Sequence, residues 1–257
     1  MQPDKERFFR ILSEVRGSEH ARYNIGTLKE KSLHLILKTY FEGDVRYHEI
    51  QTNGFVADIR KGGAIYEIET SGFSGLGPKL NAYLGEFEVW LVMPLARNKT
   101  LQWLDPETGE LSKKRVSPRK ENEYDLLFEL VRILPYVRHE KLHVLGVMLS
   151  VEELRIADGW ARKGKIGSHR IERVPADIYS IVELSTDDDY EKYIPSGCVK
   201  NFTVRDFARE AGALLDPPKT TIDKNIAAAV IKVMEARGLV SRTGKSGRAY
   251  TYSRTGR

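Results

Sequence analysis

The sequence predicts an α/β protein with a mixed central sheet and a small second domain at its C-terminal end. Three observations carry this expectation. Stretches with helical periodicity alternate with short strand-like runs as far as residue 151. Two of those runs, EVWLVMPL at 88–95 and HVLGVMLSV at 143–151, are apolar almost without interruption, as in strands buried on both faces of a sheet. From about Val199 the chain restarts in a different style, with two helical stretches and then a basic, glycine-rich hairpin.

Residues 4–16 read as a helix, and a second helix spans 26–41, where Leu33, Ile36, Leu37 and Tyr40 form an apolar stripe. VRYHEIQ, GFVADIR and GAIYEIET follow as three short strands, with Asn53-Gly54 and Gly62-Gly63 marking hairpin turns between them. A helix over 76–84 then leads to the apolar strand 88–95. A hairpin at 100–112, around LQWLDPETGEL, reads as an insertion, and Asp125–Val137 as an amphipathic helix leading to the strand at 143–151. A helix crossing between two apolar strands predicts that they run parallel. Residues 155–195 carry a basic run, RKGKIGSHRIER, a strand or helix near Ile178–Leu184 and an acidic patch at Asp187–Asp189. They form an extension without a clear pattern.

Composition bounds the rest. Cys198 is the single cysteine, so no internal disulfide framework is expected, which fits a reducing compartment. The N-terminal segment is charged throughout, and no apolar run reaches membrane-spanning length. A soluble cytoplasmic protein with no membrane partner is expected. Val199–Arg257 holds five Lys and seven Arg against three Asp and two Glu, an excess of seven, so the preceding residues carry −2 of the chain's +5. A basic module on a near-neutral body points to a polyanion partner.

DIRKGGAIYEIET, residues 58–70, concentrates Asp58, Glu67 and Glu69 on two strands of one hairpin. Carboxylates are depleted in strands because they lose water there. Either the hairpin is a solvated edge, or the acids hold a divalent cation. Two carboxylates on adjacent strands can converge on one hard ion such as Mg²⁺, which takes oxygen ligands. Side-chain alternation puts Glu67 and Glu69 on one face of their strand. Glu30 stands at the margin of the 26–41 stripe. Lys79 lies at the edge of an apolar helix face made by Leu76, Leu80 and Tyr83, where a surface lysine laid along the helix is the simpler reading. His34, His48, His139, His143 and His169 show no metal spacing with cysteine, although His48-Glu49 precedes the hairpin by one strand.

The order helix, three-strand meander, helix, strand resembles the core of the PD-(D/E)xK, restriction-endonuclease-like nuclease superfamily, written αβββαβ with a mixed central sheet. Asp58 stands where that family ends its second strand with Asp, and Glu67 where it places an acid in the third. Position 69, where the family carries Lys, is Glu69 here. The resemblance implies a Mg²⁺ (or Mn²⁺) held by Asp58 and Glu67 with the Ile68 carbonyl. Glu69 or Lys79 would handle the attacking water, and Glu30 would assist.

The segment from Asn201 resembles a winged helix-turn-helix domain, with GLVSRTGKSGRAYTY as its wing and DDYEKYI as the candidate first helix. A longer helix is expected over 221–237, closed by Gly238. The resemblance implies that Lys219, Thr220, Thr221 and Lys224 meet a DNA groove while Arg242, Lys245 and Arg248 grip the backbone. The domain division is 1–195, nuclease-like, and 199–257, winged-helix. The leading expectation is a metal-dependent DNA endonuclease acting on double-stranded DNA. Its rival is a catalytically inactive nuclease-like regulator that binds DNA, with a homodimer left open. A ribonuclease ranks below both.

Overall fold

The computed structural model describes residues 1–17, 32–156 and 168–255. Its centre is a mixed sheet. Strands β1 (His48–Thr52), β2 (Phe55–Lys61) and β3 (Ala64–Ile68) form an antiparallel meander. β4 (Glu88–Leu104) and β6 (Leu142–Ile156) join it in parallel, and β7 (His169–Leu184) closes the far side antiparallel to β6. The strand order is β1-β2-β3-β4-β6-β7, with the short β5 (Arg115–Val116) paired to the outer part of β4. Asn53 and Gly54 both take positive φ, 49° and 85°, as a tight hairpin turn needs.

Helices cover both faces. α1 (Lys5–Gly17) and α2 (Ser32–Phe41) bring Phe8, Leu33, Ile36 and Leu37 against Val92, Leu145 and Val147 on one face. α3 (Gly77–Tyr83) and α4 (Glu123–Glu129) lie on the other, where they meet Val89, Leu91, Leu95, Val144 and Met148. Alternate side chains of β4 and β6 thus enter two cores, which is why those strands read as unbroken apolar runs.

Three expected elements before residue 199 differ from their sequence reading. β4 continues to Leu104 because its outer half pairs with β6 beyond a register shift at Ala96–Asn98, and the expected hairpin forms at its end, where the chain turns back and the Ser112 N–H donates to the Trp103 carbonyl at 2.8 Å. The helix expected over 125–137 begins earlier, at Glu123, behind an Asn122–Asp125 capping box, and tightens into a 3₁₀ segment over Leu130–Tyr136. Pro135 lacks the N–H that an α-helical turn requires, and Ile133 has left helical geometry. The extension at 155–195 is strand β7 followed by the short helix α5 (Asp187–Glu191), with residues 157–167 outside the described residues.

Beyond α5 the chain forms β8 (Phe202–Thr203), α6 (Val204–Ala213), α7 (Lys224–Arg237), β9 (Val240–Ser246) and β10 (Ala249–Arg254), with strand order β8-β10-β9. α7 starts three residues later than its sequence pattern predicts. The Ile222 N–H donates to the Ala208 carbonyl at 2.9 Å and its side chain is buried, which holds 219–222 as a strap over α6. Asp223 then caps α7 by accepting from the Asn225 N–H. Gly238 closes it at φ 79°.

This C-terminal segment shares the body's core. Phe207, Val230 and Ile231 are buried in one cluster with Tyr124, Leu127 and Leu130. The Arg237 guanidinium, almost fully buried, donates to Asp187 Oδ1 at 2.6 and 3.0 Å and to the Val137 carbonyl, and lies 4.0 Å over the Tyr190 ring. Arg97 on β4 also reaches Asp216 at 2.7 Å. Among the described residues no helix is long and apolar enough to cross a membrane.

Candidate active site

Asp58 and Glu67 face each other where β2 and β3 part. The β2–β3 ladder runs through Lys61↔Ala64, Arg60↔Ile65 and Ile59↔Tyr66 and stops there. Beyond that point β2 stays with β1, through Ala57↔Ile50 and Val56↔Gln51. β3 stays with β4, through Ile68↔Val92 and the Glu69 N–H donated to the Val92 carbonyl at 2.8 Å. The Ile68 N–H, freed from a partner on β2, donates instead to Asp58 Oδ2 at 2.7 Å. A carboxylate thus stands in for a main-chain acceptor, and the two strands open into a wedge.

Each layer sends one side chain into this wedge. From α3, Lys79 Nζ donates to Glu67 Oε2 at 2.7 Å and to the Val56 carbonyl at 3.0 Å, spanning the opened strands. From α2, His34 Nε2 lies 3.1 Å from Asp58 Oδ2. The Glu67 side chain is 2 % exposed and that of Asp58 16 %, so neither acid belongs to a solvated edge. Glu67 Oε1 is buried with no hydrogen-bond partner, and so is the hydroxyl of Tyr83 on α3.

The charges are interdependent. Burial, then the charge of Asp58, pushes the Glu67 carboxyl up to about 7 against the pull of Lys79. Burial and Asp58 also raise Glu69. Asp58 goes the other way. Burial lifts it, but the hydrogen bond and charge of His34, the Ile68 N–H and Lys79 together outweigh burial and hold it below the usual carboxylate range. Burial, Glu67 and Asp58 raise the Tyr83 phenol.

The wedge therefore brings together Asp58, Glu67, Lys79 and, through the same field, Glu69. Lys79 is not laid along the helix surface but turned inward onto Glu67. Glu30 lies outside the described residues. His48 and Glu49 bond elsewhere, to the Glu42 carbonyl and to Lys38. His34 joins the site without a motif to announce it. The only trace in the sequence is its place beside Leu33 on the apolar stripe of the helix expected over 26–41.

Among the described residues no three His, Cys, Asp or Glu side chains form a ready-made metal cluster. An ion of the Mg²⁺ type keeps several waters and takes one or two carboxylates, a donor set that the two wedge acids match. The orphaned Glu67 Oε1 is the oxygen such an ion would satisfy.

Lys219, Thr220 and Thr221 lie exposed on the strap before α7, and Lys224 is exposed in its first turn. Wing residues 241–250 are all exposed, with Arg242 4.1 Å over the Tyr250 ring and Lys245 5.0 Å from it. A groove of about 540 Å³ runs between α4 and the start of α7, bordered by Arg119, Lys219, Glu129 and Asn225. Gly72, at φ +103° in the loop after β3, lies against Glu129, whose Oε2 would be 2.5 Å from any Cβ placed there. Glu129, which lines the groove, is thus also the residue packed against the loop after β3.

A family model described as Domain of unknown function (DUF8091) matches residues 31–185. That span contains Asp58, Glu67, Glu69, Lys79 and His34, and stops short of the C-terminal segment. An uncharacterized protein of Treponema pallidum (strain Nichols) is 30 % identical over 142 residues, 55 % of each chain. The chain thus spans about half the length of that relative. No solved structure matches.

Proposed function

We propose, from the premise that the chain belongs to the DUF8091 family, that its wedge is the active site of a metal-dependent DNA endonuclease. The observation that carries this reading is the opening of β2 from β3 around Asp58 and Glu67, with Lys79 delivered onto Glu67 from the following helix. The strand order, with an antiparallel meander leading through a helix to a parallel strand, supports the restriction-endonuclease-like core. Asp58 and Glu67, with the Ile68 carbonyl that the resemblance implies, would hold Mg²⁺ or Mn²⁺. When bound, the ion polarises a phosphodiester and acidifies a water.

The chain's own groups do the rest. Lys79 Nζ places a positive charge beside Glu67 and offsets negative charge at a phosphate. Glu69, with its raised affinity for a proton, accepts one from the attacking water at its carboxylate. The order of α5, β8, α6, α7 and the β9–β10 hairpin supports a winged-helix reading for the C-terminal segment. There Lys219, Thr220, Thr221 and Lys224 would meet a groove, and Arg242, Lys245 and Arg248 the backbone of double-stranded DNA. Asp223 at the cap of α7 disfavours a phosphate at that helix end, which leaves the wing as the stronger backbone contact.

A second reading, a regulator that binds DNA without cutting it, draws on Glu69 in place of lysine and on the Glu67–Lys79 pair that already satisfies one carboxylate oxygen. Supercoiled and linear DNA incubated with Mg²⁺ or Mn²⁺ separates the two. Cleavage should vanish in EDTA and fall about 10²- to 10³-fold in Asp58→Ala, in line with the loss of a group that stabilises the transition state directly. DNA that is bound but never cut would establish the regulator instead.

A further inference from the structure

We infer that His34 is a positioning residue, which fixes the Asp58 carboxylate so that its second oxygen is presented to a divalent cation. The inference rests on the metal-site reading above and adds a residue to it. Asp58 Oδ2 has two donors, the Ile68 N–H at 2.7 Å and the His34 ring at 3.1 Å. One comes from the main chain of β3 and the other from a side chain on the opposite layer, so together they set both the rotation and the plane of the carboxylate. Oδ2 is thereby committed, and Oδ1 is the oxygen left to bind.

The ring is carried on a rigid support. Its neighbours on α2, Leu33, Ile36 and Leu37, are fully buried against α1 and the sheet, so His34 is held by a helix packed in the core rather than by a loop. To donate to a carboxylate the ring carries its proton on Nε2. The arrangement is also balanced across the sheet. Lys79 from α3 faces Glu67, and His34 from α2 faces Asp58, so each acid is oriented by one side chain from its own side. Partners that orient metal-binding side chains are worth about 10- to 100-fold in affinity.

Mn²⁺ binding to the full chain, read by the electron paramagnetic resonance of the free ion, tests this without reference to cleavage. The wild type, His34→Ala, His34→Gln and Asp58→Ala are compared, with a thermal melt of each to confirm folding. The expected result is at least tenfold weaker Mn²⁺ binding in His34→Ala. His34→Gln should recover most of it, because its amide can donate from nearly the same place, and Asp58→Ala should show no binding. Unchanged binding in both folded His34 variants would overturn the role of His34 while leaving the metal site standing. Absence of binding in the wild type would overturn the metal site and this inference with it.

Discussion

Glu67→Gln should remove a pH-dependent weakness from the fold and, on the proposed function, abolish DNA cleavage. The Glu67 carboxyl is buried beside Asp58 and holds its proton up to about 7, against 4.5 for an ordinary glutamate. Between those two values the unfolded chain has lost the proton and the folded chain has kept it. Stability therefore falls as pH rises through that window, and the contribution is fully present only below it. At about 1.4 kcal/mol per pH unit, the loss between pH 5 and pH 8 is about 2–3 kcal/mol. Glutamine cannot ionise, so the stability of Glu67→Gln relative to wild type should improve by that amount from pH 5 to pH 8. The constant cost of exchanging an acid for an amide cancels in this comparison. Chemical denaturation of both proteins at the two pH values measures it. A difference that does not change with pH would mean that Glu67 is ionised throughout, held by Lys79 alone.

Arg237→Ala should destabilise the whole chain and free its C-terminal segment. The guanidinium joins α7 to Asp187 and to the Val137 carbonyl, and covers the Tyr190 ring, so one side chain ties three segments. Removing one partner of a nearly buried ion pair costs about 3 kcal/mol. For a chain of this size that is a drop of roughly 10 °C in melting temperature. Limited proteolysis should then cut between Pro195 and Asn201, where wild type resists. Arg237→Lys should recover little, because an ammonium cannot serve Asp187 and Val137 together. A melting temperature within 2 °C of wild type would show that the segment is held by its apolar contacts alone.

Much of the site can be read from the sequence, for reasons that are local. Asn53-Gly54 and Gly62-Gly63 set the hairpins, and with them the register that places Asp58 opposite Glu67. The apolar runs of β4 and β6 mark a parallel pair buried on both faces. The opening of the wedge has no such signal. It depends on the Asp58 side chain replacing a main-chain acceptor for the Ile68 N–H, which is a tertiary event. His34 is equally silent, since a single histidine beside an apolar stripe has no spacing to reveal its partner. Lys79 shows only its position at a helix margin, and whether it turns outward or inward depends on the buried acid across from it. The division at 195–199 follows charge and style, both surface properties. The shared core of Tyr124 with Phe207 and Val230 is set by packing that composition does not encode. Arg237 looks in sequence like an ordinary basic residue at a helix end.

Asp58 and Glu67 are proposed to take one divalent ion together in the wedge between β2 and β3. Diffraction from crystals soaked in Mn²⁺, recorded for its anomalous signal, measures this directly. One anomalous peak is expected, bonded to carboxylate oxygens of both residues, with Glu67 Oε1 among them. A wedge without a peak, in which Glu67 remains paired to Lys79 alone, would contradict it.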